Sequence, residues 1–459
     1  MAERKLPKDM ETPPEIRSSF AEKMIVETRE YKLITPLFGG GVEPNTPDPV
    51  TVIRATEIRG HLRFWWRATR GGQFETIEEL KAKEDEIWGS AAKFEKQRRA
   101  YGPSPVSIRV LEYSWKSKAD SKAFEIVDKK NDGKWRAYPK SGVAPAYASF
   151  PLKPDDKEIR RTKQNTEIPD IYHDVEFTIS ISYPNKYKLD IEAALWAWET
   201  FGGIGARTRR GFGAISNKNK LVITDVASYL RDCIDKFVLP STNNYGVPYL
   251  SKDFNTDYRI IFDKDHNGNN IAFNNPKKPW DRLINKLQQF RQQRDDPSPS
   301  APYTPGRSRW PEPDSIRLET GCSAPYHNPR FRINKYPRAA FGLPIVTKFN
   351  DKDVKNGDPQ QVVLQGVDKI NRLASPLFLR PFAFKTETGN KIYYVGLAFI
   401  LNTLEQPPGG VTLEINKQKR IVNSRPLTNE DINELVEAGL VLPNNNPNIL
   451  EAFLDYLEQ

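Results

Sequence analysis

Between Phe201 and Gly213 the chain reads Phe-Gly-Gly-Ile-Gly-Ala-Arg-Thr-Arg-Arg-Gly-Phe-Gly, five glycines, three arginines and a hydroxyl within thirteen residues. Glycine has no Cβ and reaches positive φ, so peptide N–H groups can approach an anion closely, and arginine adds a forked, permanently charged donor. The chemistry this suggests is phosphate binding by Gly202, Gly203, Gly205, Arg207, Thr208, Arg209, Arg210 and Gly211. Two better-known glycine loops do not fit. A nucleoside-triphosphate loop needs Gly-Lys followed by Ser or Thr. A dinucleotide fingerprint needs GxGxxG after a strand, whereas Thr208 stands at the third glycine position and the preceding element reads as a helix. A tight helix-to-strand turn with solvated arginines is the plain alternative.

A second set of cations lies on the segment Glu57 to Arg70. At helical spacing Ile58, Leu62, Trp65 and Thr69 share a core face, Arg59, Arg63, Arg67 and Arg70 share the adjoining one, and Trp66 falls at the border. Like charges at i, i+4 repel by a few tenths of a kcal/mol per pair, so something anionic should lie along the stripe. A nucleic acid, a neighbouring subunit, or internal carboxylates such as Asp85 and Glu86 would each serve. Arg54, Arg59, Arg63, Trp66 and Arg67 are candidate contacts here. A third set, Arg307, Arg309 and Trp310, sits in a proline-rich stretch (about 296–313), where Trp310 could stack on a base or staple the loop to its own domain.

Candidates for catalysis and metal binding are weak. His61 is a lone ring on a helix with no second acid–base group visibly beside it. Cys322 and His327 are the closest Cys/His pair, and two ligands make a poor metal site. Neither Cys233 nor Cys322 belongs to a CxxC pair. No catalytic residue, metal or cofactor is expected.

The elements that must position these residues follow from periodicity. Met24 to Leu33 reads as a strand, Val50 to Ile53 as a short extended piece, and Glu57 to Arg70 and Thr76 to Trp88 as helices. Strands are expected at Pro105 to Tyr113, Ala146 to Leu152 and Asp174 to Tyr183. An amphipathic helix carrying Ile191, Ala194, Leu195 and Trp198 then runs into the glycine segment and a short strand near Phe212 to Ile215. The order approximates β-α-β-β-α-β. A second unit is expected from residue 231, with a strand at Tyr258 to Phe262, a helix at Trp280 to Gln293, sheet at 341–349, 376–385, 391–402 and 411–415, and two C-terminal helices. The predicted organisation is a flexible arm (1–23), a first α+β domain (24–230) and a second (231–459), each with its own core.

The chain has 459 residues, with 69 Lys and Arg against 59 Asp and Glu, a formal charge of +10. Its isoelectric point near 9.2 favours a polyanionic partner. No apolar run of about 18 residues is present to span a bilayer, and Met1 to Phe20 lacks the apolar core of a signal peptide. A cytoplasmic protein without membrane partners is expected.

Taken together, the glycine segment, Thr35 to Gly41, Leu62 to Ala68, Ile87 to Ser90, Gly306 to Asp314, Phe341 to Ile345 and Arg372 to Leu377 resemble the RAMP superfamily of CRISPR-associated proteins. Within it they are similar to the family of first subunits of type III-B (Cmr) effector complexes. The resemblance covers about residues 24 to 380. It implies tandem ferredoxin-like (RRM-like) domains with insertions, near the 3′ end of a guide RNA. Target single-stranded RNA and other Cmr-type subunits are the implied partners, and antiviral RNA cleavage would reside on those other subunits. It also implies that the glycine loop and Arg59, Arg63 and Arg67 face RNA. A metal-independent endoribonuclease of the same superfamily, with His61 as base, and a structural cap that touches only protein are the competing readings.

Overall fold

The computed structural model describes residues 23–41, 46–90, 102–116, 121–129, 132–219, 222–240, 247–297, 299, 306–367, 372–387, 391–402, 410–415, 418–422 and 426–459. The arm expected over 1–23 lies outside them except for Lys23, as do residue 298 and residues 300–305 of the proline-rich stretch.

The fold is α+β with antiparallel sheets. In β1 (Met24–Leu33) every second residue of the C-terminal half, Arg29, Tyr31 and Leu33, is buried. Helix α1 (Ala55–Arg70) buries Ile58, Leu62, Trp65, Trp66 and Thr69, and α2 (Ile77–Trp88) starts at a reciprocal Thr76/Glu79 capping box. Then come β2 (Ser107–Lys116), β3 (His173–Pro184), α3 (Lys188–Phe201) and β4 (Ile215–Asn217). The sheet order is β2-β3-β1-β4, the order that β-α-β-β-α-β connectivity produces when each helix crosses one face. β1 pairs with β3 from Met24↔Pro184 to Lys32↔Glu176, which turns Val175, Phe177, Ile179 and Ile181 into the core.

A second sheet is built from β5 (Tyr258–Ile261), β6 (Leu377–Lys385) and β7 (Ile392–Asn402), with β7 central. Tyr249–Leu250 pairs further along β7, so among the described residues the sheet is three strands wide. Helix α4 (Lys277–Arg291) packs on β6 and β7, and α5 (Asn429–Glu437) and α6 (Ile449–Tyr456) share its core. A separate four-stranded sheet, Ile345–Lys348, Gln361–Gly366, Val411–Ile415 and Gln418–Val422, stands between. No helix among the described residues is long and apolar enough to cross a membrane.

Three expectations change. Ala146–Ser149 is helical and Phe150–Leu152 continues it as a 3-10 turn: Pro145 leads in and two alanines favour helix over the β-rich look of the aromatics. Val50 to Ile53 forms no strand. And α3 is buried nearly all round, with Ala193, Trp196 and Ala197 covered as fully as the predicted face. The reason is that the two units share a core instead of having one each. Phe201 lies 4.6 Å from Phe399, and Trp65 lies 5.6 Å from Phe378, so one apolar cluster runs from β1 and α1 through α3 into β6 and β7. Truncating an aromatic such as Phe201 at this junction would cost about 3–5 kcal/mol.

Candidate nucleic-acid interface

The glycine segment begins where α3 runs out. Gly202 caps the helix with its N–H on the Trp198 carbonyl at 2.8 Å, and a Cβ there would lie 2.6 Å from both Trp198 and Trp65. The next peptide groups are stitched inward. Ile204 N–H donates to Gly213, Ala206 N–H to Phe38 and Gly213 N–H to Pro36, at 2.8 to 2.9 Å. Gly205 N–H reaches the Glu57 carboxylate at 2.8 Å. Gly213 has φ +58, and a Cβ on it would fall 1.8 Å from the Ile204 carbonyl oxygen; Gly211, at φ +83, backs onto the Trp280 indole. This corrects the sequence reading of Gly202, Gly203, Gly205 and Gly211. They let the chain approach itself, and the peptide N–H groups of Gly202, Gly205 and Gly211 are consumed by protein acceptors.

The three arginines separate. Thr208–Arg210 is a single 3-10 turn, with Thr208 half-buried. The Arg209 guanidinium lies over Phe378 at 4.9 Å and Phe64 at 5.7 Å and donates to the Ser375 carbonyl. Arg210 donates to the Leu377 carbonyl at 2.7 Å, while the Trp280 indole donates to the Arg210 carbonyl at 2.7 Å. Burial pushes Arg209 down to about 10. Burial, with Arg291, Arg207 and Arg209 nearby, pushes Arg210 down to about 9, and both stay cationic at neutral pH. Arg207 is exposed and holds a left-handed backbone at φ 59, unusual for a long side chain and costing about 1 kcal/mol or more. Among the described residues no carboxylate forms an ion pair with any of the three, and the Arg207 side chain makes no hydrogen bond.

The α1 stripe is built differently. Arg63 and Arg67 converge on one buried carboxylate, Glu84 of α2, with Arg63 at 2.8 Å. Arg59 donates to the Val106 carbonyl at 3.2 Å and Arg54 to the Gly40 carbonyl. Trp66 is fully buried, its indole N–H on Asp190 at 2.9 Å. The internal partner is thus Glu84, one residue before the pair expected: Asp85 binds Lys81, and Glu86 binds Lys83 and Tyr187. Burial corrects the reading of Trp66 as a contact, while Arg63 and Arg67 meet an outside anion only alongside Glu84.

In the proline-rich loop the stapling alternative holds. Trp310 is 1% exposed and donates to the Phe290 carbonyl at 3.0 Å, leaving no face for a base. Arg307 pairs with buried Asp314 at 2.8 Å, and Arg309 with Asp295 at 3.3 Å. His61 does have an acid–base neighbour: its Nε2 lies 3.7 Å from Glu57, one helical turn earlier, the same carboxylate that accepts from Gly205. His327 meets Asp353 and Asp358 at 3.5 and 3.7 Å, but Arg317 already forks onto Asp358.

Arg380 was not singled out from the sequence. It is buried in β6, without a carboxylate, and donates to the carbonyls of Gly202, Ile215 at 2.8 Å, Pro381 at 2.9 Å and Glu199 at 3.2 Å. Burial pushes it down to about 9. It pins both ends of the glycine segment to the second sheet. The legible signal is one charge inside the apolar run Leu-Phe-Leu-Arg-Pro-Phe-Ala-Phe.

Residues 30–216 match the family model of the RAMP superfamily. The chain is 29% identical over 197 residues, 40% of its length and 91% of the relative's, to the CRISPR system Cmr subunit Cmr1-2 of Pyrococcus furiosus. Two solved structures resemble it more loosely. One is apo Cmr1 from Pyrococcus furiosus, at 18% identity and TM-score 0.38, covering 83% of this chain and 89% of that one. The other is a type III-B Cmr-beta complex bound to cognate target RNA and AMPPnP, at 15% identity and TM-score 0.43, covering 95% and 99%.

Proposed function

We propose that this chain, similar over residues 30–216 to the RAMP superfamily and over 197 residues to a Cmr subunit, is a RAMP protein of the Cmr type and a non-catalytic RNA-binding subunit of a type III-B effector complex. It sits near the 3′ end of the guide RNA in the cytoplasm and helps capture single-stranded target RNA, with the other Cmr-type subunits as its protein partners. The observation that carries this reading is Arg207: an exposed residue in a strained backbone, free of any ion pair among the described residues, on a turn whose other two arginines also lack carboxylates among them. Backbone phosphates are the anion such a turn complements. The second unit is read as a reduced ferredoxin-like partner of the first, with β6-β7-β5 in the order 2-3-1.

RNA affinity is expected to fall steeply with salt, and Arg207→Ala to reduce the slope by about 0.7 for a single strand. An unchanged slope, measured by filter binding across salt concentrations, would sink the loop assignment. The endoribonuclease reading has one supporting observation, the His61–Glu57 pair beside the glycine segment. Cleavage of RNA in EDTA by the purified protein, abolished by His61→Ala, would establish that reading instead.

A further inference from the structure

The glycine segment is not the only cationic element at this place. Arg291, in the last turn of α4, holds its guanidinium 5.9 Å from the Tyr147 ring and 5.4 Å from the Phe341 ring. Its Nε is buried without a hydrogen-bond partner, and no carboxylate among the described residues forms an ion pair with it. Burial depresses its pKa and Arg338 adds to the depression, while Tyr147 and the Glu312 carboxylate, itself paired with Arg338 at 3.1 Å, act the other way.

Arg291 is also close enough to Arg207 and Arg210 for its charge to disfavour theirs. Tyr147 stands on the short helix Ala146–Ser149, which packs on α4, and shares a core with Ala206, the neighbour of Arg207. It is close enough to Arg207 and Arg210 to act on their charges, and its hydroxyl makes no hydrogen bond with a described residue. Three neighbouring forked cations repel one another. An anion with several acceptor oxygens reverses the sign of every one of those interactions.

We infer that Arg291 and Tyr147 complete the site begun by Arg207, so that a single backbone phosphate of single-stranded RNA is held from both units of the protein at once. The inference rests on the RNA-binding reading above and adds residues that the glycine segment does not contain. Arg207 comes from the turn after α3, Tyr147 from the connection between β2 and β3, and Arg291 from the second unit. Arginine supplies two parallel N–H donors to a phosphate where lysine supplies a point charge, and the phenol adds a neutral donor.

The test is fluorescence anisotropy of the full chain with a labelled single-stranded RNA at several salt concentrations. Arg291→Met is expected to weaken binding about tenfold and to lower the salt slope by about 0.7, one phosphate contact. Arg291→Lys should restore the slope and remain about threefold weaker, because the fork is lost. Tyr147→Phe keeps the ring beneath Arg291, leaves the fold and the slope unchanged, and weakens binding about threefold.

Wild-type affinity and slope in a folded Arg291→Met protein would overturn the inference, and would assign the cluster to an acidic surface of a neighbouring subunit. If that variant does not fold, wild-type affinity in Tyr147→Phe overturns it equally. An altered slope in Arg207→Ala alongside wild-type behaviour of the Arg291 and Tyr147 variants sinks only this inference. An unaltered slope in Arg207→Ala sinks the RNA-loop reading itself.

Discussion

Two kinds of arginine-rich region in this molecule look alike in sequence and are opposite in structure. On α1, Arg63 and Arg67 share the carboxylate of Glu84, and in the proline-rich loop Arg307 and Arg309 each have an aspartate. On the turn after α3, Arg209 and Arg210 spend their donors on neutral carbonyls, and Arg207 spends none on any described residue. The difference teaches that an arginine cluster is left open to an outside anion only where the fold withholds acids from it. Spacing along the helix predicted that the stripe needed an anion; it did not say that α2 supplies one.

The comparison can be broken or sharpened at three positions. The largest effect is expected from Arg380→Met, which strips donors from buried carbonyls at both ends of the glycine segment. It should lower stability by about 3 kcal/mol in urea unfolding. If the variant instead folds normally and loses RNA affinity, Arg380 belongs with Arg207 and not with the scaffold.

Glu84→Gln comes next, at about 2 kcal/mol, because Arg63 and Arg67 lose their shared anion but are partly solvated. It also uncovers one net positive charge. The salt slope for RNA should steepen, by up to about 0.7 if the stripe can reach the strand. A slope identical to wild type would show that position on the surface, and not pairing, separates the two regions. The smallest effect belongs to Arg309→Ala, whose partner Asp295 also pairs with Arg330. Its stability should stay within about 0.5 kcal/mol and its slope unchanged, and a reduced slope would return the proline-rich loop to the interface.

Much of the first unit was legible in the sequence. The alternation of β3, the α1 core face and the helix starting at Thr76 are local signals, and the structure places them where periodicity puts them. What escaped was set by long-range packing. The outer face of α3 looked solvent-ready because nothing local shows that Phe237 will stack on Trp196 or that β6 will pack alongside, and the glycines looked available because nothing local shows Trp65 and Trp280 closing on them. Trp310 had two readings of equal standing until Phe290 supplied its acceptor. Arg291 and Tyr147 lie far from the turn in sequence, so no motif around residue 207 could have included them.

The joint between the two units has a further consequence for handling the protein. Arg209, Arg210 and Arg380 hold it through dipoles and aromatic faces, with no carboxylate among the described residues taking part. Mobile ions screen charge against charge over about 10 Å at 0.1 M, but they have little hold on a buried guanidinium capping a carbonyl. A high-salt wash should therefore strip a nucleic acid from the surface and leave the scaffold shut, returning a clean protein still shaped to take the strand back when the salt is dialysed away.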